Sequence, residues 1–294
     1  MTDGKTCEEC DDSRCAARDR REGEADEALR ERRALEARMC RIRHKVVVLS
    51  GKGGVGKSTV AVNLATALAM AGKRVGLLDV DIHGPSVPKL LHVEGGRLGA
   101  SENALIPVEV ECGPGKLVVM SIGFLLRNRD DAVIWRGPMK LGAIRQFLAE
   151  GEWGDLDWLV IDSPPGTGDE PLTVAQLLPD ADGAIVVTTP QDVAVADVRR
   201  CVVFCRQVKM PVIGVVENMS GYTCPKCGEV SGIFGSGGGK AMAEEMGVPY
   251  LGDIPIDPEV VASGDGGAPI VRSKPGSETA RAFARIAATL MEKA

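Results

Sequence analysis

Two cysteines separated by two residues, Cys224 and Cys227, stand in the segment SGYTCPKCGEVSG. A tetrahedral metal ion or an iron–sulfur cube takes four ligands, commonly thiolates, and no second CxxC lies near this one. The pair therefore supplies half of a metal site. The residues alone leave three interpretations open, namely an iron–sulfur cluster, a zinc ion of the kind that CPxCG turns bind, and a redox dithiol without metal.

A glycine-rich segment, SGKGGVGKST, follows the apolar run KVVVLS and satisfies the pattern G-x-x-x-x-G-K-[ST]. Glycines let the backbone curl so that its N–H groups face phosphates, and the helix that follows adds the positive end of its dipole. Lys57 is expected to reach the β- and γ-phosphates, and Ser58 is expected to bind Mg²⁺. The residues expected to contact the nucleotide are Gly51, Gly53, Gly54, Val55, Gly56, Lys57, Ser58 and Thr59.

Carboxylates follow two further apolar runs. Asp79 and Asp81 lie in LLDVDIHGPS, and Asp162 ends the run in WLVIDSPPGTGD. Open α/β sheets bind their ligands at the carboxyl ends of the strands, which is where a carboxylate such as Asp162 binds Mg²⁺, usually through water. The loop after it is expected to sense the γ-phosphate through the N–H of Gly166.

The elements that position these residues are predicted from alternating patterns between residues 45 and 294. Short apolar runs alternate there with helical stretches, which predicts right-handed βαβ units. The predicted fold is α/β, a doubly wound, mostly parallel sheet with helices on both faces. The segment GSGGGK at 235–240 misses the phosphate pattern, because Phe234 stands where the first glycine belongs, and it is predicted to be a flexible loop before a helix. Ser277 is predicted to cap the C-terminal helix.

Residues 1–44 form a separate, charged N-terminal extension in this prediction, and residues 45–294 form the domain. The extension holds 12 acidic and 11 Lys or Arg side chains. Its thin apolar stripe predicts a surface helix with a weak docking face, and its first part is expected to be disordered unless a metal binds it. Cys7, Cys10 and Cys15 form C-x₂-C-x₄-C, with Cys40 as a distant fourth candidate. We expect these cysteines either to bind a second cluster or to belong to a tail that is disordered or binds zinc weakly.

Composition narrows the class of protein. The net charge of −6 does not favour nonspecific nucleic-acid binding. No stretch approaches the roughly 18 apolar residues that span a membrane, and the first residues do not form a secretory signal. The nine cysteines of a chain without an export signal favour reduced thiols and metal binding. We therefore expect a cytoplasmic protein that binds neither nucleic acid nor membrane. Cys201 and Cys205, at helical spacing, are expected to be small core residues.

The segments KGGVGKS, DIHGPS, DSPPGTGD and ENMSGYTCPKCG together resemble one family. The second loop lysine, Lys52, is typical of the deviant Walker A class of P-loop NTPases, which includes MinD, ParA and the nitrogenase iron protein. Within that class, residues 45–294 resemble the Mrp/ApbC iron–sulfur carriers. The resemblance implies a Mg²⁺-dependent ATPase that acts as a homodimer.

The resemblance also implies roles for individual residues. Lys52 would reach across the dimer to the other subunit's nucleotide. Asp79 would help to hold the Mg²⁺ shell, and Asp81 would orient the attacking water. Asn218 matches the asparagine that contacts adenine, and IPID at 254–257 resembles the base-pocket loop.

In the resembling family the paired cysteines bridge a 4Fe–4S cluster between two subunits, so the two ligands missing from one chain would be Cys224 and Cys227 of the other. The implied function is an ATP-dependent carrier that takes a cluster from an assembly scaffold and transfers it to apo-proteins. One alternative is a MinD- or ParA-like positioning ATPase with a structural zinc bridge, against which the CPKCG motif argues. Another is nucleotide-gated electron transfer as in the nitrogenase iron protein, whose cluster cysteines do not form a CxxC.

Overall fold

A mixed sheet between two layers of helices forms the centre of the computed structural model, which describes residues 20, 22–82, 84–101, 104–125, 137–224 and 226–293. The strands are β1 (Ile42–Ser50), β2 (Arg74–Asp79), β3 (Gly99–Ser101), β4 (Ala104–Ile106), β5 (Val108–Val110), β6 (Lys116–Ser121), β7 (Leu156–Asp162), β8 (Gly183–Thr188), β9 (Val212–Thr223), β10 (Val230–Ser231) and β11 (Tyr250–Ile256). The helices are α1 (Asp26–Met39), α2 (Lys57–Met70), α3 (Val87–Leu90), α4 (Gly137–Glu150), α5 (Asp169–Leu177), α6 (Asp192–Gln207), α7 (Gly238–Glu245), α8 (Pro258–Asp265), α9 (Ile270–Ser273) and α10 (Glu278–Lys293).

The order of the strands places β1 in the middle of the sheet. From one side the order is β9-β8-β1-β7-β2-β6-β5, and β11 pairs with the free side of β9. All of these strands are parallel except β5, which runs antiparallel to β6. The short β10 pairs antiparallel with the last residues of β9, and β3 and β4 form a separate hairpin. The predicted α/β fold with a mostly parallel, doubly wound sheet is confirmed.

Helices bury both faces of the sheet, which explains why its strands are continuous apolar runs. One face packs against α2, α9 and α10. The other face packs against α1, α4, α5, α6 and α7. Helix α2 is apolar nearly all round because it lies between the sheet and α10. The hydroxyl of Ser277 accepts a hydrogen bond from the Ala280 N–H at 3.0 Å, which confirms the predicted cap of α10.

Helix α1 is more firmly attached than its sequence indicated. Leu35 and Met39 are buried in the same apolar cluster as β1, β7 and α4, and Glu31 pairs with Arg145 of α4 at 2.7 Å. Strand β1 begins at Ile42, three residues before the predicted start at Lys45, so the last residues of the predicted extension belong to the sheet. Cys7, Cys10 and Cys15 lie outside the described residues.

The remaining cysteines follow the prediction where the structure tests it. Cys201 and Cys205 are buried in the core between α6 and the sheet. Burial raises the pKa of the Cys201 thiol to about 12 and that of Cys205 to about 11, so both are neutral thiols at physiological pH. None of the described helices is long and apolar enough to cross a membrane.

The docking of α1 can be tested by shortening one side chain. Met39 is 1% exposed, so Met39→Ala is expected to lower the free energy of unfolding by about 2–4 kcal/mol through lost apolar contacts and a cavity. Leu29→Ala, on the half-buried side of the same helix, should cost less than half as much. Urea denaturation of both variants measures the difference. Equal, small losses would show that α1 does not pack against the sheet.

Candidate functional site

The glycine-rich loop joins the central strand β1 to α2, and its conformation requires glycine at two positions. Gly54 and Gly56 have φ angles of 81° and 80°, in the left-handed region that favours glycine. A Cβ atom on Gly56 would lie 2.3 Å from Nδ2 of Asn218. No side chain caps the N-terminus of α2, so its first N–H groups and its positive dipole end face the loop. This geometry is suited to an anion, and phosphate binding by the loop stays a prediction.

Register brings the predicted carboxylates together. In the parallel pair of β2 and β7, Asp79 stands directly opposite Asp162, and both are fully buried. The ammonium of Lys57 lies 2.5 Å from Oδ1 of Asp162, 3.7 Å from Oδ2 of Asp81 and 3.2 Å from the hydroxyl of Ser58. The first residue of α2 therefore places one cation among the carboxylates of two strand ends.

Burial strongly disfavours the charged forms of these acids. It raises the pKa of Asp79 to about 8, and the neighbouring carboxylate of Asp162 adds to the rise. The Ser121 hydroxyl, which donates to Asp79 at 2.8 Å, and the N–H of Asp81 oppose that rise. Burial also raises the pKa of Asp162, while Lys57 opposes it. Buried carboxylates held this close favour a further cation beside them.

The donor set fits a magnesium ion. Oδ2 of Asp162, Oδ1 of Asp81 and Oγ of Ser163 are buried oxygens without a hydrogen-bond partner among the residues that the structure describes. Buried polar atoms nearly always have a partner, and Mg²⁺ prefers carboxylate, hydroxyl and water oxygens. The hydroxyl of Ser58 lies beside them, 3.2 Å from the Lys57 ammonium that contacts Asp162. Ser58, Asp79 and Asp162, predicted as Mg²⁺ residues, thus lie together.

Two other predicted site residues make contacts that the sequence did not indicate. The N–H of Gly166 donates to the carbonyl of Ser50 at 2.7 Å, so binding a γ-phosphate would require it to leave that bond. The Nδ2 of Asn218 donates to the carbonyl of Val55 in the glycine-rich loop at 2.9 Å. Lys52 is half-exposed, and no described residue forms an ion pair with its ammonium. The roles predicted for these residues toward nucleotide remain predictions.

The last three residues of IPID, Pro255 to Asp257, line a cavity of about 300 Å³, together with Tyr222, Thr223 and residues from the N-termini of α8 and α10. The carboxylate of Asp257 is engaged in structure there. It accepts the N–H of Glu259 at 2.9 Å, which caps α8, and the hydroxyl of Thr279 at 2.8 Å. The predicted base-pocket loop therefore borders an open space at the same edge of the sheet as the glycine-rich loop.

In the second glycine-rich segment, GSGGGK, backbone N–H groups bind a carboxylate of the protein itself. Glu217 of β9 accepts the N–H groups of Gly237 and Gly239 at the start of α7. This confirms that the segment leads into a helix and is not a phosphate loop. Sequence reasoning did not identify Glu217, although a single acid in the otherwise apolar strand PVIGVVEN was a signal that it has a buried partner.

The paired cysteines lie on the turn between β9 and β10. The N–H of Cys224 donates to the carbonyl of Glu229, and that of Gly228 donates to the carbonyl of Cys224, both at 2.9 Å. Hydrogen bonds from the backbone N–H groups of Cys227 and Lys226 lower the pKa of Cys224. Cys224 is half-buried and Cys227 is exposed. The turn thus presents two thiols to solvent and favours a thiolate, which is the form that binds metals.

Within the described part of the chain, no third Cys, His, Asp or Glu side chain joins Cys224 and Cys227 in a group that could hold a metal ion. The cysteine turn therefore has two ligands from the residues described. A four-ligand metal centre at this turn needs further ligands, and the half-buried Cys224 and exposed Cys227 are both accessible to a second molecule.

The pKa of Asp79 predicts how stability depends on pH when metal and nucleotide are absent. The folded protein keeps the Asp79 proton up to about pH 8, whereas an unfolded aspartate loses it near 3.8. The contribution of protonated Asp79 to the free energy of unfolding is therefore complete below about pH 4 and is lost as the pH rises toward 8. Asp79→Asn stays uncharged, so its free energy of unfolding should exceed that of wild type by about 2 kcal/mol at pH 8. The two values should differ little at about pH 4.5. Urea titrations in EDTA measure both values, and an unchanged pH slope in Asp79→Asn would contradict the assignment.

Several known proteins resemble this chain. The family described as NUBPL iron-transfer P-loop NTPase, of the ParA group, matches residues 41–291. An iron–sulfur cluster carrier protein of Methanocaldococcus jannaschii is 53% identical over 233 residues, which are 79% of each chain. A cytosolic Fe-S cluster assembly factor NUBP2 homolog of Culex quinquefasciatus is 52% identical over 252 residues, 85% of this chain and 98% of that protein.

Solved structures agree with this relationship. A nucleotide-binding protein from Archaeoglobus fulgidus, in complex with ADP and with Co, is 40% identical, with a TM-score of 0.71 over 80% of this chain and 91% of that one. The cell division ATPase MinD of Pyrococcus furiosus, at 23% identity, has a TM-score of 0.60 over 85% and 99% of the two chains and shares the fold. With its glycine-rich loop, its buried carboxylates and this match across residues 41–291, the chain belongs to the NUBPL iron-transfer family of P-loop NTPases.

Proposed function

We propose that this protein is an ATP-dependent iron–sulfur cluster carrier. Two copies would bind a 4Fe–4S cluster between them through Cys224 and Cys227 of each chain, and would transfer it to apo-proteins. The observation that carries the proposal is the juxtaposition of an anion cradle with buried carboxylates and a two-thiol turn at the same edge of one sheet. Relatives named as an iron–sulfur cluster carrier and as an Fe-S assembly factor support it.

The nucleotide half of the proposal is Mg²⁺-dependent ATP hydrolysis. The N–H groups of residues 51–59 would hold the phosphates, and the ammonium of Lys57 would move from Asp162 toward the β- and γ-phosphates. Ser58, Asp79 and Asp162 would hold Mg²⁺ directly or through water, and the ion would neutralise charge on the phosphates. The carboxylate of Asp81 is free at Oδ1 and would orient the attacking water. The ADP complex of the Archaeoglobus fulgidus relative supports nucleotide binding at this fold.

The homodimer follows from the ligand count and from the surface around the cysteine turn. Each chain would give two thiolates, so a two-fold axis through the cluster completes four. Large apolar side chains are exposed beside the turn, with Val230 71%, Ile233 56% and Phe234 43% accessible, and these are suited to burial against another protein. Lys52 would reach the nucleotide of the second subunit. The Co present in the Archaeoglobus fulgidus relative is in keeping with metal binding in this family.

The partners of such a carrier are an assembly scaffold that supplies the cluster and apo iron–sulfur proteins that receive it. A cytoplasmic location is proposed on the same basis, because several relatives are named cytosolic Fe-S cluster assembly factors. The net charge of −6 gives no support to binding of nucleic acid. We also propose that Cys7, Cys10 and Cys15 bind a second cluster. The iron measurement below tests this.

Substitutions in the nucleotide site should separate binding from hydrolysis. Lys57→Ala is expected to weaken ATP binding roughly 10–100-fold, because the phosphates lose their main cation. Asp81→Asn should bind ATP normally and hydrolyse it at least about 100-fold more slowly, because only the water loses its orientation. Lys52→Ala should reduce hydrolysis more than binding. Lys116→Ala, which removes an exposed lysine paired with Glu109, is the control. Normal hydrolysis by Asp81→Asn, measured as phosphate release, would remove its assigned role.

Substitution of either cysteine should abolish the shared centre. With Cys7, Cys10 and Cys15 changed to Ser, anaerobically reconstituted protein is expected to hold about four iron and four sulfide per dimer. Cys224→Ala or Cys227→Ala in that background leaves two thiolates per dimer and should lose nearly all of this iron while still binding ATP. Iron and sulfide analysis and the broad visible absorbance report the result.

Cys40→Ala is the matched control for that experiment. Cys40 is also exposed, but it lies just before the start of β1, whereas the glycine-rich loop lies at the end of that strand. The iron content of the unmodified chain, compared with that of the Cys7, Cys10 and Cys15 variant, shows whether the tail holds a second cluster. Stoichiometric zinc without sulfide after reconstitution would overturn the carrier proposal. That outcome would leave an ATPase with a structural zinc bridge.

A further inference from the structure

The segment that carries both cysteines begins and ends at one buried carboxylate. Glu217 of β9 is fully buried, and its Oε1 accepts the hydroxyl of Ser220 at 2.5 Å and the N–H of Gly237 at 2.7 Å. Ser220 lies just before the β9–β10 hairpin, and Gly237 lies just after it. Residues 220–237, here called the metal hairpin, are therefore closed at their base by hydrogen bonds to a single oxygen atom.

The other carboxylate oxygen of Glu217 fixes the helix that follows. Oε2 accepts the N–H of Gly239 in the first turn of α7 at 2.5 Å, where the helix dipole also favours negative charge. A Cβ on Gly239 would lie 3.0 Å from this oxygen and 2.7 Å from Cγ2 of Thr188, so the contact requires glycine. A buried charge without a cation is costly unless several donors satisfy it. The three donors supply that compensation and make the position of Glu217 well defined.

The next residue of the strand contacts the nucleotide loop. Side chains of neighbouring residues in a strand point to opposite faces, so Asn218 points to the α2 face while Glu217 points to the α7 face. Nδ2 of Asn218 donates to the carbonyl of Val55 at 2.9 Å, and Gly56 packs so closely that it has no room for a Cβ. One dipeptide thus touches the glycine-rich loop on one side and the base of the metal hairpin on the other.

The backbone between this dipeptide and the hairpin is constrained. Met219 has a φ of 58° and Gly221 a φ of 74°, both in the left-handed region. A non-glycine residue there is uncommon, and the surrounding contacts must hold it. Met219, held in this conformation, joins Asn218 directly to Ser220 at the base of the metal hairpin.

From these contacts we propose that Glu217 is a positioning residue for the metal hairpin and that the Glu217–Asn218 dipeptide couples nucleotide binding to metal binding. The inference rests on the proposed function, because it assigns a route between the two sites of that function. When nucleotide binds, the glycine-rich loop moves toward the phosphates and Val55 moves with it. Asn218 follows because its side chain is hydrogen-bonded to the Val55 carbonyl. The strand transmits this shift to Glu217 and changes the spacing of the two cysteines. By linkage, metal at the hairpin changes nucleotide affinity by the same factor.

The test is a linkage measurement on the full chain. Zn²⁺ affinity is measured by competition with a chromophoric chelator, with and without saturating ADP and Mg²⁺, and the zinc bound by a Cys224→Ala, Cys227→Ala variant is subtracted. Wild type is expected to show at least a threefold change of Zn²⁺ affinity on ADP binding. Glu217→Gln, which replaces one acceptor oxygen with an amide N–H donor, should bind Zn²⁺ at least tenfold more weakly and show no ADP-dependent change.

Glu245→Gln is the matched control. It removes an exposed carboxylate from α7 that pairs with Arg199 and does not contact the hairpin, so it should retain both the affinity and the ADP effect. Ser220→Ala keeps the buried charge and removes one of its three donors, and it should lose part of the ADP effect even if Glu217→Gln fails to fold. A wild-type ADP effect that persists unchanged in Glu217→Gln and Ser220→Ala would overturn the proposal.

Amide hydrogen exchange gives a reading that does not depend on metal. ADP should change the exchange rates of residues 220–237 in wild type, and Glu217→Gln should exchange this segment faster and without response to ADP. If wild type binds no metal through Cys224 and Cys227 but the exchange response is present, the proposed function fails. The connection between the glycine-rich loop and the metal hairpin through Glu217 and Asn218 then still stands. If metal binds and neither the exchange nor the affinity responds to ADP, the coupling is wrong and the carrier function stands.

Discussion

The burial of acidic side chains beside the first residue of α2 is the constraint on which the rest of this structure depends. Asp79 and Asp162 are fully buried on adjacent strands, and either carboxylate can carry its charge there only with the ammonium of Lys57 or a metal ion nearby. Lys57 can lie there only because the central strand β1 runs between β7 and β8 and ends in a loop that turns directly into α2. The order of the strands is therefore what creates the site.

The same strand order explains why two different chemistries share one edge of the sheet. The seven parallel strands of the sheet end at this edge, namely β1, β2, β6, β7, β8, β9 and β11. The glycine-rich loop, the carboxylates and the cysteine turn are therefore neighbours without being close in sequence. Strand β9 is the longest of them and extends past the others to form the hairpin with β10. It is the physical link between the glycine-rich loop, which Asn218 contacts, and the two thiols, which follow six and nine residues later.

Local sequence predicted the parts of the structure that local geometry determines. The glycine-rich loop was predictable because its left-handed residues and close approaches admit only glycine at Gly54 and Gly56, and the parallel sheet was predictable because strands buried on both faces are continuous apolar runs. Helix α1 was underestimated because its docking depends on only two buried side chains, Leu35 and Met39. The partner of Glu217 lies 20 residues along the chain, and no periodicity signals a contact of that kind.

The exposure of the cysteine turn has a consequence for the kind of metal centre it can hold. Cys201 and Cys205 show what burial does to a thiol in this protein, since it raises both pKa values to 11 or above. Cys224 lies instead on a solvent-facing turn where backbone N–H groups lower its pKa, so its thiolate forms readily and remains accessible to a competing ligand. Ready formation favours binding, and accessibility favours exchange with another protein's thiols. The proposed transfer of a cluster to another protein would need such access.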